Sequence, residues 1–564
     1  MGVRRAMALA LTEANREKPP IYTFGPLIHN DQVLNLLASK GVSPVETLDG
    51  LKKGTIIIRA HGIPPQQRRD IKKTGLYIID ATCPKVAKVQ ALIRYHTRKG
   101  STAVIVGNKG HAEVTGLLGY SERPAHVIHS VEDVSALPHL EKVFVVAQTT
   151  QNEKTFHAIV TALKDRFLDL QVLNTICGAT YYRQKEVRSF AGQVDATVVV
   201  GGFHSGNTQR LVQVSRQANL PTFHVETEKD LDRKKLSGMK IVGVTAGAST
   251  PIWMIKKVAN EIAGLRGKKE AAFTHWLKRA FRFLLTNNII VALGALCFTH
   301  AAAILSQRPP DFHYPAIAFL YVYAMHVLNL LLDKGASAYN DPERAVFLNK
   351  HRRLLIFTGT FAIIIALFVS FNIGIATFLA LTALSLIGIL YGQPLLPERI
   401  QHPLAYYRIK DLPGSRSLSE SLAWVAIIAI LPLLHTASIA WAAVTISTIT
   451  VFSMSYARAI FFDIFQVQGD LIVGTETLPI ILGEKKTLTL VKIMLILTVL
   501  ILTASPLLGL LEPFSYILIL PVLSLLFCLV AYEKHLLYPG TTLEALVETN
   551  FFLAGLLGLI WQAL

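Results

Sequence analysis

The apolar runs that fill the second half of the chain limit its fold more than any other feature. Nine runs alternate with polar loops, near residues 284–305, 315–332, 354–370, 375–392, 420–434, 438–457, 489–510, 513–532 and 549–564. A helix needs roughly 20 apolar residues to cross a bilayer, and lipid forces backbone N–H and C=O groups to pair within the segment. The sequence therefore predicts an all-α, polytopic membrane domain of about nine transmembrane helices over 283–564.

The loops between these runs differ in charge. Lys and Arg collect in alternate loops, whereas Arg308 is the only basic residue of this kind in the loops on the other side. Because basic loops stay cytoplasmic, we expect a multi-pass protein of the bacterial inner (cytoplasmic) membrane with its soluble domain in the cytoplasm. The Lys and Arg residues of the cytoplasmic loops also account for the net charge of +18. We expect the helices to contact membrane lipid. The sequence has no basic tract interleaved with aromatic residues of the kind that tracks a nucleic-acid backbone, so we expect no nucleic-acid partner.

The first half of the chain has a different pattern, in which short β-branched runs end in Gly, His, Ser or Thr clusters. These runs are TIIIRAHG (55–62), AVIVGNKGH (103–111), VFVVAQTT (143–150), ATVVVGGFHSGN (196–207) and KIVGVTAGAST (240–250). Amphipathic stretches such as 85–98 and 207–217 separate them. The alternation predicts an α/β domain with mostly parallel strands over 1–264, and ligands of such sheets bind at the carboxyl ends of the strands.

Those predicted strand ends carry a consistent chemistry. Hydroxyls, an amide, imidazoles and backbone N–H groups at helix starts suit a phosphate or diphosphate. No GxGxxG or Walker A pattern is present, which disfavours a nucleotide. The polar residues at these ends are His61, His111, Thr149, Ser205, Asn207 and Ser249.

Motifs along this half resemble those of 4-hydroxy-3-methylbut-2-enyl diphosphate reductase, the LytB/IspH family. The motifs are GVRRA (2–6), IHN (28–30), AHG (60–62), DATCPKV (80–86), GHAEVTG (110–116), AQTT (147–150), TICGATYYRQ (175–184), HSGNTQRL (204–211) and VTAGASTP (244–251). The resemblance implies repeated α/β subdomains around a central [4Fe–4S] cluster held by three cysteines, of which Cys83 and Cys177 are two. It implies catalytic roles for Glu113, as proton donor, and Thr149. The implied substrate-binding residues are His29, His61, His111, Ser205, Asn207 and Ser249.

The activity that this resemblance implies is a two-electron reductive dehydroxylation giving isopentenyl and dimethylallyl diphosphates, with electrons from a ferredoxin or flavodoxin type donor. Residues 2–6 match the tail of the family motif Cys-x-Gly-Val-x-Arg-Ala, with Met1 at the x. We therefore expect the third cluster cysteine one residue before Met1 and the family's first strand before it. Two readings stay open at this point: a start assigned too late, or a domain that has lost its cluster.

Polar residues beside the apolar runs predict a second site. Asn329 and Asp333 are one helical turn apart, and Asp463 and Asp470 are two turns apart, so each pair shares a helix face. With the basic residues Lys410 and Arg416 nearby, the carboxylates suit a Mg²⁺–diphosphate complex. The alternative is that these acids only mark the membrane boundary.

This second half resembles the UbiA superfamily of intramembrane prenyltransferases. The motifs are NLLLDKGASAYNDPER (329–344), ILYGQPLLP (389–397), RIKDLPGSRSL (408–418) and RAIFFDIFQVQGDLIVGTETLPIILG (458–483). The resemblance implies Mg²⁺-dependent ionisation of a prenyl diphosphate and transfer of the carbocation to a lipophilic acceptor. Three positions where the family often has acids are Ser337, Gln466 and Gln468 here.

Residues 265–282 mix basic and aromatic side chains between the two halves. They predict either a basic amphipathic connector on the membrane surface or an extension of the first span. Three functions remain open: a bifunctional reductase and prenyltransferase, a prenyltransferase with an inactive or regulatory LytB-like domain, and a membrane-anchored iron–sulfur sensor or scaffold.

Overall fold

A computed structural model describes residues 2–16, 20–28, 30–51, 53–265, 272–332, 339–391, 412 and 414–564. The chain divides into two compact units, Met1–Lys269 and Glu270–Leu564. The first unit is α/β and the second is helical, so the predicted fold class of each half is confirmed.

The first unit contains three sheets in which every strand pair is parallel. Their orders are β2-β1-β3-β4, β6-β5-β7-β8 and β10-β9-β11. The strands are β1 (Ile21–Phe24), β2 (Val42–Val45), β3 (Thr55–Ile58), β4 (Tyr77–Asp80), β5 (Thr102–Val106), β6 (His126–Ile128), β7 (Val143–Ala147), β8 (Leu170–Leu173), β9 (Ala196–Val200), β10 (Thr222–Val225) and β11 (Val242–Ala246).

Helices connect these strands and cover both faces of the sheets. They are α1 (Gly2–Arg16), α2 (Asp31–Ser39), α3 (Pro65–Lys73), α4 (Pro84–Arg98), α5 (Ala112–Leu118), α6 (Glu132–Ser135), α7 (Glu153–Arg166), α8 (Gly178–Ser189), α9 (Gly206–Gln217), α10 (Arg233–Leu236) and α11 (Ile252–Gly264). Because helices lie on both faces, the central strands β3, β7 and β9 are buried at every position. That burial explains their unbroken β-branched and apolar sequences.

The same local arrangement occurs at both cysteines of this unit. Strand β4 leads to Cys83, which caps α4, and strand β8 leads to Cys177, which caps α8. In each case the thiol stands between the carboxyl end of a strand and the amino end of a helix. Such positions are where open α/β sheets present ligand-binding groups.

The second unit is built from helices. Their bounds are Ala272–Thr286, Ile289–Leu305, His313–Leu332, Pro342–Lys350, Arg352–Ile373, Ile375–Leu390, Ser415–Val425 with an irregular continuation to His435, Trp441–Val473, Leu478–Leu482, Glu484–Leu507, Phe514–Glu533 and Thr541–Ala563. Within the described residues, seven of them have the length and apolar character needed to cross a membrane. Ile289–Leu305 and Ile375–Leu390 are apolar but shorter. A helix is thus present at each of the nine predicted runs.

The 33-residue helix Trp441–Val473 is the longest of these and is largely buried among the others. It ends at Gly474, whose φ of 89° is a left-handed conformation that glycine adopts without strain. The N–H of Gly474 donates to the carbonyl of Asp470, so the second acidic residue lies in the last turn of the helix.

Candidate active sites

One cavity in the first unit collects residues from several strand ends and helix starts. Both cysteines lie on its wall, although they are 94 positions apart in the sequence (177 − 83). The carboxyl ends of the strands converge there, as the α/β pattern predicts. The predicted residues on the wall are His61, Cys83, His111, Glu113, Thr149, Cys177, Ser205, Asn207 and Ser249. His29 lies outside the described residues.

Glu113 and Thr149 form a buried pair on this wall. Glu113 is 2% exposed, and its Oε1 accepts the backbone N–H of Thr149 at 2.7 Å. The Thr149 hydroxyl and the Oε2 of Glu113 are 2.9 Å apart. Burial raises the pKa of the Glu113 carboxyl, while the two hydrogen bonds from Thr149 lower it. The net direction is upward, so Glu113 retains its proton to a higher pH than an exposed glutamate.

His111 has a fixed orientation because it caps α5. Its Nδ1 accepts the backbone N–H of Glu113 at 3.1 Å, which leaves Nε2 as the proton-bearing nitrogen of the neutral ring. The ring of His61 packs edge-on against it, with the centroids 5.6 Å apart. His111 can therefore offer an Nε2–H donor to an anion in the cavity.

The start of α9 contributes another anion-binding element. Ser205 caps this helix, and its Oγ lies 3.3 Å from the Oγ of Ser249. Asn207 is 7% exposed, and neither its Nδ2 nor its Oδ1 has a hydrogen-bond partner in the described part of the chain. A buried amide without partners is costly, so this side chain is suited to a ligand that supplies them.

Two wall residues were missed by sequence reasoning. Arg183 adds a guanidinium group to the cavity. It lies six residues after Cys177 inside the TICGATYYRQ motif, so proximity to that cysteine was the available signal. Gly2 packs against Cys83, and any side-chain carbon at position 2 would collide with the Cys83 Sγ.

The cavity fits an iron–sulfur cluster in part. Cys83 and Cys177 are both free and partly exposed thiols, which suit cluster iron. Among the described residues no group of three His, Cys, Asp or Glu side chains is arranged to hold a metal ion. The described wall therefore provides two of the three thiolates that the resemblance implies.

The second unit brings three of its predicted site residues together around one guanidinium group. Arg416 Nη1 lies 3.5 Å from Asp470 Oδ1, and its Nε lies 3.7 Å from Asp463 Oδ1. Its Nη2 donates to Gln466 Oε1 at 2.7 Å. Asp463 and Asp470 are 3% and 0% exposed, so two carboxylates face one arginine in a buried setting.

Asn340 is the residue that sequence reasoning missed here. Its Nδ2 donates to Asp470 Oδ1 at 3.2 Å, and its Oδ1 accepts the backbone N–H of Gly469 at 2.9 Å. Asn329 is half-buried near the end of the His313–Leu332 helix. Asp333 and Lys410 lie outside the described residues.

Comparison with known proteins matches the first unit to one family. The family described as "LytB protein" matches residues 1–263. The 4-hydroxy-3-methylbut-2-enyl diphosphate reductase of Geobacter sulfurreducens is 41% identical over 269 residues, which are 48% of this chain and 95% of the relative. The reductase of Aquifex aeolicus is 43% identical over 265 residues, which are 46% of this chain and 91% of the relative.

The second unit has a more distant likeness among solved structures. A UbiA homolog from Aeropyrum pernix K1 is 14% identical, with a TM-score of 0.36 over 49% of this chain and 99% of that one. This likeness is too weak to assign a function to the second unit. By contrast, the relatives of the first unit are matched over nearly their whole length at more than 40% identity, and the chain therefore belongs to the LytB/IspH family.

Proposed function

We propose that the first unit catalyses the reductive dehydroxylation of 4-hydroxy-3-methylbut-2-enyl diphosphate. The observation that carries this proposal is the single cavity that joins two thiols, a buried carboxyl and a set of anion-binding groups. Reductases of this name are the relatives that the chain matches over 95% and 91% of their lengths. The anion-binding groups suit the diphosphate end of such a substrate, and the thiols and the carboxyl suit its hydroxyl end.

Different residues of the chain would bind the diphosphate end and act at the hydroxyl end of the substrate. The diphosphate would accept hydrogen bonds from His61, His111, Ser205, Asn207 and Ser249, and the start of α9 would add backbone N–H groups. Cys83 and Cys177 would hold two of the irons of a [4Fe–4S] cluster, which would relay the two electrons from the external donor.

Glu113 would hold the proton that the departing hydroxyl needs, because burial raises the pKa of its carboxyl. The hydroxyl of Thr149 would orient that carboxyl through the contact to its Oε2. The balance is one substrate, two electrons and two protons giving one isopentenyl or dimethylallyl diphosphate and one water.

For the second unit we propose Mg²⁺-dependent transfer of a prenyl group to a lipophilic acceptor within the membrane. Buried carboxylates of Asp463 and Asp470 would bind Mg²⁺, and Arg416 would contact the diphosphate. Their convergence on one point of a helical bundle supports this proposal over acids that only mark a membrane boundary. Asn329, Asp333 and Lys410 complete the proposed set.

The proposed bifunctional protein lies in the bacterial inner membrane with the first unit in the cytoplasm. There a ferredoxin or flavodoxin type donor would supply electrons. The reductase half would make C5 diphosphates and the membrane half would consume a prenyl diphosphate. The second candidate, a prenyltransferase with an inactive or regulatory first unit, is favoured by the presence of only two thiols on the described cavity wall.

The reductase proposal is tested by anaerobic purification of the full chain. Iron and sulfide content and dithionite-driven reduction of the hydroxymethylbutenyl diphosphate are measured on it and on a chain extended to any upstream in-frame start. We expect about four irons per extended chain, as a complete thiolate set should hold. If neither chain binds iron and turns over, the first unit is not a reductase and the second candidate stands.

The transferase proposal is tested with radiolabelled prenyl diphosphates of five to twenty carbons. The full chain in vesicles is expected to release diphosphate only when Mg²⁺ is present. Asp463→Asn should abolish that release, whereas Asp311→Asn, which changes an acid at the start of another helix, should not. Release that is independent of both Mg²⁺ and Asp463 would contradict the proposal.

A further inference from the structure

A second group of charged side chains lies inside the helical bundle and has no part in the proposed Mg²⁺ site. Arg458 donates from Nε and Nη2 to Glu548 Oε1, at 2.8 and 2.7 Å. Its Nη1 donates to Glu420 Oε1 at 2.5 Å. His326 Nε2 lies 3.7 Å from the same Glu420 oxygen. We call His326, Glu420, Arg458 and Glu548 the inner cluster.

The four side chains of the inner cluster sum to one negative charge when both carboxylates are ionised. The cluster holds one guanidinium group and two carboxylates, and a neutral imidazole adds nothing to that sum. Uncompensated charge inside a membrane bundle is costly, and Arg344 offsets part of this charge because it interacts electrostatically with Glu548. A proton on His326 would place an imidazolium beside Glu420, whose carboxylate would stabilise it.

Two further arginines lie near the inner cluster. Arg344 donates to the carbonyl of Thr286 and to the side chain of Asn288. Arg416 faces Asp463 and Asp470, as described above. Both arginines oppose a positive charge on His326, whereas Glu420 favours one.

The inner cluster begins one helical turn from the proposed Mg²⁺ site. Glu420 follows Arg416 by four residues on one helix, and His326 precedes Asn329 by three residues on another, so each pair shares a helix face. His326 and Glu420 keep 20% and 25% of their side-chain surface exposed, whereas Arg458 and Glu548 keep 6% and 2%. The reachable members are thus those nearest the proposed diphosphate site.

We propose that His326, supported by Glu420, is the proton acceptor of the prenyl-transfer step. This inference rests on the proposed transferase function. In that step the allylic C–O bond breaks and its electron pair leaves with the diphosphate. The acceptor, an O–H group or an electron-rich ring carbon, forms the new bond to the carbocation. The proton that the acceptor loses passes to His326 Nδ1, because Nε2 faces Glu420 and carries the hydrogen of the neutral ring, and Glu420 stabilises the resulting imidazolium.

The test needs no knowledge of the natural acceptor. Geranyl diphosphate and Mg²⁺ are given to the full chain in vesicles without any acceptor. The carbocation then either captures water to give an alcohol or loses a proton to a nearby base to give an elimination hydrocarbon. Both products require ionisation, but only the second requires the proton acceptor.

We expect the unsubstituted chain to form both products. His326→Asn should lower the ratio of hydrocarbon to alcohol by at least about tenfold, as removal of a general base does, with total diphosphate release within about twofold. Glu420→Gln should act in the same direction and less strongly. The matched control His313→Asn changes an exposed histidine at the start of the same helix and should leave the ratio unchanged.

Three results would overturn the inference while leaving the proposed function intact. They are an unsubstituted chain that ionises the substrate but forms no hydrocarbon, an unchanged ratio in His326→Asn, and a parallel loss of both products. If the unsubstituted chain shows no Mg²⁺-dependent diphosphate release at all, the proposed transferase function fails and this inference fails with it.

Discussion

The two proposed diphosphate sites hold their polar groups in opposite ways. In the first unit Asn207 is buried with no internal partner among the described residues, and His111 lies on the cavity wall with Nε2 as the proton-bearing nitrogen of its neutral ring. In the second unit Arg416 is already engaged with Asp463 and Asp470. The site in the first unit contains neutral hydrogen-bonding groups, whereas the site in the second unit contains charged groups that pair with one another.

The surroundings of each site explain this difference. A cavity in the α/β unit can fill with water, which satisfies neutral donors at modest cost until a ligand arrives. Inside a membrane bundle an isolated charge is much more expensive, so opposite charges must pair in the absence of ligand. Binding in the second unit therefore requires exchange of existing ion pairs, while binding in the first unit only completes missing hydrogen bonds.

The largest expected effect concerns the proton that the first site holds. Glu113→Gln keeps the shape of the side chain but removes its acid, so we expect dithionite-driven turnover to fall by about 10²–10⁴-fold. Iron content should not change, because Glu113 is not a thiolate ligand. The matched control is Glu122→Gln, since Glu122 is an exposed surface carboxylate paired with Arg98 at 2.7 Å. Equal losses in the two variants would show that Glu113 has no special role.

Sequence patterns predicted which strand ends line the cavity of the first unit better than they predicted the hydrogen bonds among its side chains. Strand ends at His61, His111 and Ser205 are visible because β-branched runs stop abruptly before them, and parallel strands bring their ends to one edge. The sequence did not indicate that Arg183 joins the wall, because its position depends on how α8 is oriented. It also could not reveal that Asn207 lacks partners, since hydrogen-bond pairing depends on side-chain positions.

In the second unit the helices were predicted more readily than the polar contacts. Apolar run length gave each helix, and the seven-residue spacing of Asp463 and Asp470 placed both on one face. Asn340 was missed because it lies beyond the second apolar run and reaches Asp470 across 130 sequence positions. Glu420 and Glu548 were missed because single acids at the edges of apolar runs have no spacing pattern of their own.

The next prediction concerns whether the ion pairs of Arg416 with Asp463 and Asp470 stabilise the second unit. Arg416→Met leaves two buried carboxylates without their guanidinium partner, so we expect a loss of about 1–3 kcal/mol in stability. Added Mg²⁺ should restore more stability to this variant than to the unsubstituted chain, because the cation would replace the lost charge. Thermal denaturation of the full chain in detergent measures both effects.

The control for this experiment is Arg353→Met, which removes an exposed arginine at the start of another helix of the second unit. It should change stability little, as exposed charges usually do. If Arg416→Met is no less stable than this control, the ion pairs of Arg416 do not support the bundle, and the contrast between the two sites fails.

A smaller effect is the pH dependence that Glu113 gives to the first unit. Its pKa is raised in the folded state, so folding retains a proton that the unfolded chain releases above its ordinary pKa of about 4.5. Stability should therefore fall as pH rises from that value to the folded pKa, by at most about 1.4 kcal/mol per pH unit, and then level off. Glu113→Gln should flatten this part of the curve, as measured by hydrogen exchange in β5 and β7 against pH. Identical slopes in both chains would contradict a raised pKa of Glu113.

The smallest expected effect has the opposite sign to that of Arg416→Met. Asn207→Ala removes a buried amide that has no internal partner in the described chain, so we expect the free energy of unfolding of the ligand-free first unit to rise by up to about 1 kcal/mol.

Asn152→Ala is the matched control, because the Asn152 side chain caps α7 by accepting the N–H groups of Lys154 and Thr155. Its loss should cost about 1 kcal/mol. Hydrogen exchange in β9 and β7 measures the two changes. A gain in stability with weaker substrate binding in Asn207→Ala would show that this site keeps hydrogen-bonding capacity for its ligand, whereas a loss equal to that of Asn152→Ala would show an internal role.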